Sequence, residues 1–152
     1  MNINGAALGY LASRSRTVKE LERYLLRKNF PEEEISALLA DFIEYGYLDD
    51  SRYCLAYFDY AFGRGKGKRR VFAELQEKGV DPQTIEIAFE EYEPAGSEEE
   101  RAWIEAEKIL RLSEIGEDEP VPEKVRGRIA RRLQTKGYSS DVIYKVIGGM
   151  KR

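Results

Sequence analysis

Histidine is absent from the sequence, and cysteine occurs once, as Cys54. Without imidazole there is no Ser-His-Asp or Cys-His nucleophile system, and most zinc sites lose their ligands. A lone cysteine forms no internal disulfide and no Cys-rich metal centre, which fits a reducing compartment. No apolar run approaches the roughly eighteen residues that a membrane helix needs. The start, Met1-Asn2-Ile3-Asn4-Gly5, lacks the basic-then-apolar pattern of a secretory signal. Together these absences predict a cytoplasmic protein with no cofactor, no metal and no membrane partner.

Carboxylates remain for catalysis, and they fall in runs. Glu32-Glu33-Glu34 and Glu98-Glu99-Glu100 each read as an exposed helix start or a linker, not as a cluster converging on a substrate. No enzyme is expected. With 152 residues, 35% charged and 42% hydrophobic, the chain has the balance of a soluble folded protein with a modest core.

One phrase occurs three times: "RKNFPEEEI" at 27–35, "EKGVDPQTI" at 77–85 and "TKGYSSDVI" at 135–143. Around it Leu21, Val71 and Ile129 correspond, as do Leu25, Leu75 and Leu133, then Ile35, Ile85 and Ile143, then Leu39, Phe89 and Ile147. Apolar residues four apart before the phrase, and three and four apart after it, predict a helix, a sharp turn and a second helix. The third residue of the phrase, Asn29, Gly79 or Gly137, is of a type that tolerates a left-handed backbone at a helix C-terminus. An apolar residue follows it: Phe30, Val80 or Tyr138. That residue is placed to pack on Leu25, Leu75 or Leu133, closing the corner as a Schellman motif. Asp81 and Ser139 suit the cap of the next helix, with Pro82 pre-set for its first turn; Pro31 is a poorer capper.

A further helix precedes each pair. Ala7, Leu8 and Leu11 seed the first. Tyr53, Ala56, Tyr57, Tyr60 and Ala61 share one face of the second, behind an Asp49 or Asp50 cap, and their spacing predicts core packing. Trp103, Ala106, Ile109 and Leu110 form the third. Cys54 reads as a small buried apolar residue. The expected fold is therefore all-α: three tandem three-helix repeats forming an elongated, curved helical-repeat protein. Repeat 1 spans 1–48 and repeat 2 spans 49–92. An acidic linker at 93–100 leads to repeat 3 at 101–152, which has an internal linker at 113–122. No heptad pattern asks for a dimer, so a monomer is expected.

Charge is segregated beneath a net of −3. Basic residues dominate 1–30, 63–80 and 123–152, and acidic ones dominate 31–62 and 81–122. Arg16, Lys66 and Lys124 are equivalent in the repeats and lie just ahead of the middle helix. Lys19, Lys68, Arg69, Arg70, Arg126 and Arg128 crowd the same ends; Arg14, Arg64, Arg131 and Arg132 extend the basic segments. A cation at a helix N-terminus opposes the macrodipole at a cost of roughly 0.3–1 kcal/mol. Three equivalent unfavourable placements argue for a binding surface, with helix N–H groups and cations offered to phosphates or to a partner's carboxylates. "GRGKGK" at 63–68 lacks the GxxxxGK[ST] spacing and a preceding strand, so it reads as a flexible interhelix loop rather than a phosphate loop.

At "ALGYLASRSRTVKEL", Ala7 to Leu21, and "GYLDDSRYCLAY", Gly46 to Tyr57, the chain resembles the RecX family of bacterial regulatory proteins. Thr17 and Glu20 in the first stretch have capping-box spacing. In the second, Gly46 is placed to end a helix and Tyr47 to pack back on Phe42. "KRRVFAELQEKGV", Lys68 to Val80, continues the resemblance, which is weakest from Glu93 to Pro122. The chain departs from the family at Lys68, where Pro is frequent, and near Phe62, where a basic residue is frequent. The resemblance implies a non-enzymatic modulator that binds the RecA filament on DNA, with contacts to single-stranded DNA within it, and restrains ATP hydrolysis and strand exchange. The alternative is a helical-repeat nucleic-acid-binding protein acting without RecA.

Overall fold

A computed structural model describes residues 2–92, 94 and 96–150; Met1, Glu93, Ala95, Lys151 and Arg152 lie outside the described residues. Among the described residues every regular element is an α-helix: α1 (Ile3–Ser13), α2 (Val18–Arg27), α3 (Glu32–Glu44), α4 (Asp50–Phe62), α5 (Lys68–Glu77), α6 (Pro82–Glu91), α7 (Glu98–Leu112), α8 (Glu123–Lys136) and α9 (Ser140–Gly148). None is long and apolar enough to cross a membrane. The expected all-α helical-repeat fold is what the chain adopts.

The corners have the geometry that the phrase predicts. Asn29, Gly79 and Gly137 sit at φ 67, 89 and 99°. The amides of Phe30, Val80 and Tyr138 donate to the carbonyls of Leu25, Leu75 and Leu133 at 3.3, 3.1 and 3.0 Å. Those three leucines are fully buried, each contributing about 1.5–3 kcal/mol by leaving water. Asp81 and Ser139 cap the helices that follow, accepting from the amides of Thr84 and Val142. The same closure ends three other helices. Gly46, Gly65 and Glu114 are left-handed, and the amides of Tyr47, Lys66 and Ile115 donate to the carbonyls of Phe42, Ala61 and Leu110. Phe42 and Tyr47 meet edge to face at 5.2 Å, as expected.

The described chain folds as two compact units, Met1–Tyr57 with Glu74–Tyr92, and Phe58–Ala73 with Glu93–Arg152. In the first, α1, α2 and α3 enclose a core that includes Ala7, Leu21, Leu25, Ile35, Leu38 and Phe42. The start of α2 is tied off there by residues distant in sequence. Thr17 and Glu20 form the capping box. The Thr17 hydroxyl, wholly buried, also donates to the carbonyl of Lys78 at 2.6 Å. Asp50, the first residue of α4, accepts the Val18 amide at 3.0 Å, while Asp49 caps α4 itself through the Arg52 amide.

The second unit repeats this arrangement fifty residues on. Glu98, the first residue of α7, accepts the Lys68 amide at 2.7 Å, and the Gly67 amide donates to the carbonyl of Lys136 at 2.8 Å. Its core joins Ala102, Ala106, Ile129, Leu133, Tyr138 and Val146. In both units, then, an α-helix start is closed by a carboxylate from one later helix and by the corner of another.

This explains which corner residue is which. A Cβ on Gly79 would strike Cβ and Cγ of Lys19, and one on Gly137 would lie 2.6 Å from the Arg70 amide nitrogen and 2.9 Å from its Cα. Asn29 is exposed, and there a side chain is accommodated.

Several expectations need correction. GRGKGK joins α4 to α5 as an interhelix segment, and it carries specific contacts: Gly65 forms a Schellman corner, and its carbonyl accepts the buried Tyr138 hydroxyl at 2.9 Å. The tyrosines do not form the core face of α4. Cys54, Phe58, Ala61 and Phe62 are buried, whereas Tyr53 and Tyr57 are half-buried and Ala56 and Tyr60 exposed. Both faces obey helical spacing, and the one without phenol hydroxyls to satisfy goes inside. Leu8 points outward at 50% exposure, so Ala6 and Ala7 carry the buried side of α1. Glu98, Glu99 and Glu100 form the first turn of α7 behind a Ser97 cap rather than the end of a linker. Residues 113–122 lend Ile115 and Val121 to the second core.

Candidate binding surface

The basic residues of the sequence divide into three groups with different surroundings. In the first unit Arg14 pairs with Glu20 at 3.5 Å and Lys19 with Glu22 at 2.9 Å. The Arg16 guanidinium lies 4.0 Å from the centre of the Tyr10 ring and donates to the Ser13 hydroxyl at 3.1 Å. Lys19–Glu22, the more exposed pair, contributes about 0–1 kcal/mol and is exchanged for a partner's groups at little cost, whereas Glu20 also holds the capping box of α2.

In the second unit Arg64 stacks on Tyr60 at 4.5 Å and Lys68 lies 5.1 Å from Phe72. Lys66 is half-buried. Arg70 donates to the carbonyl of Thr135 at 3.3 Å. Arg69 stands apart: it is exposed and has no hydrogen bond or ion pair among the described residues.

The third group lies on α8 and just at its start. Lys124, Arg128, Arg131 and Arg132 are exposed. Arg126 is not. It is 7% exposed and donates to the carbonyl of Ile147 at 3.3 Å. Its stem is in helical phase with Ile129 and Leu133, so it packs inward and leaves the surface set. Arg69 and Arg131 are brought to one groove, of about 380 Å³, between α8 and α9. Arg16 instead lines a groove of about 340 Å³ in the first unit, with Asp49, Arg52 and Tyr53 among its neighbours.

The idea that helix N–H groups are left for a ligand needs correction. The start of α2 is filled by Thr17, Glu20 and Asp50, and that of α5 by Glu98. These acids also answer the macrodipole that the cations oppose. Side chains, not backbone amides, are what the surface presents at those helices.

Sequence reasoning passed over several residues that the structure singles out. Tyr144 is 79% exposed beside Arg131 in the α8–α9 groove. The inward spacing of Val142, Val146 and Ile147 could have placed it outside. Glu105 is buried at 4% exposure, paired with Lys108 at 2.7 Å, and its carboxylate fills the space a Cβ on Gly65 would need. Lys136 donates to the carbonyl of Arg64 at 3.1 Å; burial pushes its ammonium below the ordinary lysine value, with Glu105 opposing. Burial pushes the Tyr138 hydroxyl up to about 12 and the Cys54 thiol up to about 11, which leaves Cys54 a protonated, inert thiol at neutral pH.

Comparison with known proteins places the chain in a family. A family model described as RecX, first three-helix domain, matches residues 5–42, and one described as RecX, second three-helix domain, matches residues 49–88. The regulatory protein RecX of Mycolicibacterium vanbaalenii is 32% identical over 143 residues, covering 92% of this chain and 77% of that protein. That of Vibrio vulnificus is 29% identical over 143 residues, covering 94% and 89%. Among solved structures, RecX from Lactobacillus salivarius aligns with a TM-score of 0.80 at 28% identity, covering 96% of this chain and 92% of its own.

Proposed function

Since the chain belongs to the RecX family, we propose that it is a non-enzymatic regulator that binds RecA filaments on DNA and restrains their ATPase and strand exchange. The observation that carries this reading beyond the family name is the set of exposed guanidiniums Arg69, Arg128, Arg131 and Arg132. Guanidinium forks suit the carboxylates of a protein partner or the phosphates of DNA held within it. The repeats at 1–48, 49–92 and 101–152 would each present a basic segment to successive parts of a helical polymer. Binding across neighbouring subunits would resist the rearrangements of the hydrolysis cycle without any chemistry by this chain. The protein would act as a monomer in the cytoplasm.

The test is RecA ATPase on single-stranded DNA, titrated with the purified protein. Restraint well below one regulator per RecA is the expected result. The variant Arg69→Glu with Arg131→Glu should lose it while keeping its helical circular dichroism. Bare single-stranded DNA provides the counter-arm. Tight binding to it without RecA, falling steeply with salt, together with an unaffected ATPase, would make the protein an independent nucleic-acid binder.

A further inference from the structure

The groove between α8 and α9 has a floor that the basic residues alone do not explain. Ala130, Ile143 and Ile147 line it, with Tyr144 standing 79% exposed at its side. Arg69 and Arg131 line it as well, no Asp or Glu does, and neither guanidinium has a hydrogen bond or ion pair among the described residues. An apolar floor beside two unpaired cations is complementary to a chain segment that carries both bulky apolar and acidic side chains.

We propose that this groove docks an acidic polypeptide segment of a partner protein. Its aliphatic or aromatic side chains would seat on Ile143, Ile147 and Tyr144, and its carboxylates would pair with Arg69 and Arg131. The inference rests on the proposed function only in taking the basic face as the binding face. The floor favours a peptide over nucleic acid. Two isoleucines four apart and an alanine make an aliphatic surface, whereas bases seek successive exposed rings. Here Tyr144 is exposed, but the other ring of the groove, Tyr138, is 2% exposed. Gln134 and Ser140 in the same lining offer an amide and a hydroxyl to a peptide backbone.

The experiment uses the full chain without RecA. Fluorescence anisotropy would follow a labelled peptide, Asp-Glu-Leu-Phe-Glu-Asp-Leu-Glu, against the same peptide with Asn and Gln for its acids, and against oligo(dT). The acidic peptide should bind, and its neutral counterpart should bind at least about tenfold more weakly. Tyr144→Ala and Arg131→Gln should each weaken the acidic peptide by about tenfold. Both side chains are exposed, so thermal melts should stay at the parent's value. Equal binding of the two peptides, or affinity unmoved by both substitutions, overturns the proposal. So does oligo(dT) binding more tightly than the peptide with the same dependence on Tyr144 and Arg131. Because RecA is absent, peptide binding that behaves as stated while RecA ATPase goes unrestrained would sink the proposed function and leave this groove standing.

Discussion

The corner at Gly137 permits a sharp test of how the second unit is held together. Gly137→Ala adds one methyl group at φ 99°, where it would meet the Arg70 amide nitrogen at 2.6 Å and its Cα at 2.9 Å. Left-handed backbone costs an L-residue about 1–2 kcal/mol, and forcing atoms into a packed site adds about 1–3 kcal/mol. The expected loss is therefore roughly 2–5 kcal/mol. Asn29→Ala is the control. It sits at φ 67° in the equivalent corner but is exposed, so only the backbone contribution changes, by about 1 kcal/mol or less. Trp103 is the sole tryptophan and packs against the core of α7, α8 and α9. Its fluorescence in a urea titration reports the second unit specifically. With a urea slope of about 1–3 kcal/mol/M, the midpoint should fall by on the order of 1–2 M for Gly137→Ala. A loss no larger than that of Asn29→Ala, each followed by circular dichroism, would refute the claim that this corner sits against Arg70.

Other outcomes follow from the same geometry. Leu133→Ala should cost about 2–5 kcal/mol, read by the same Trp103 titration, because it empties a fully buried site and removes the contact under Tyr138. Gly79→Val should destabilise the first unit in circular dichroism melts, since a β-branched residue would have to hold φ 89° against Lys19. Tyr138 stays protonated in the folded chain up to about 12, while the unfolded chain ionises near its ordinary value of 10. The folded state thus holds the extra proton, and stability should fall as pH rises between those values; Tyr138→Phe should flatten that slope in alkaline urea titrations. Asp50 is raised above the usual aspartate value mainly by burial, with the Val18 amide opposing. Stability from this group therefore falls as pH rises through that raised value. Asp50→Asn keeps an acceptor for Val18 and should remove this dependence in melts across the acid range.

What the sequence made legible is local. Asn29, Gly79 and Gly137, each followed by an apolar residue and preceded by a leucine at the right distance, specify a corner whose hydrogen bonds lie within a few residues. The resemblance to RecX, carried by such stretches, placed the family as well. Two kinds of feature stayed hidden. Asp50 closes the start of α2 from 32 residues away and Glu98 closes that of α5 from 30, and neither distance has a local signature. Their equivalence appears only when first-helix starts are aligned with each other. Burial of charge was the second. Arg126 shares helical phase with Ile129 and Leu133, but its side-chain type suggested solvent, and its carbonyl partner on α9 is not deducible from either helix alone. In the sequence only the cations mark a binding surface, whereas the apolar floor beside Arg131 exists only where α9 lies against α8.

The cross-sequence closures at Asp50 and Glu98 give the chain a direction in time. During synthesis the N-terminal residues emerge first, yet the start of α2 acquires its last partners only when Asp50 and then Lys78 have left the ribosome. The start of α5 waits in the same way for Glu98 and Lys136. The starts of α2 and α5 are thus each completed by residues translated later, so the growing chain carries an unfinished helix end at both stages. A stalled chain whose emerged part ends between Lys78 and Glu98 should hold the first three helices closed and the fifth frayed, a state that pulse-labelled hydrogen exchange would detect.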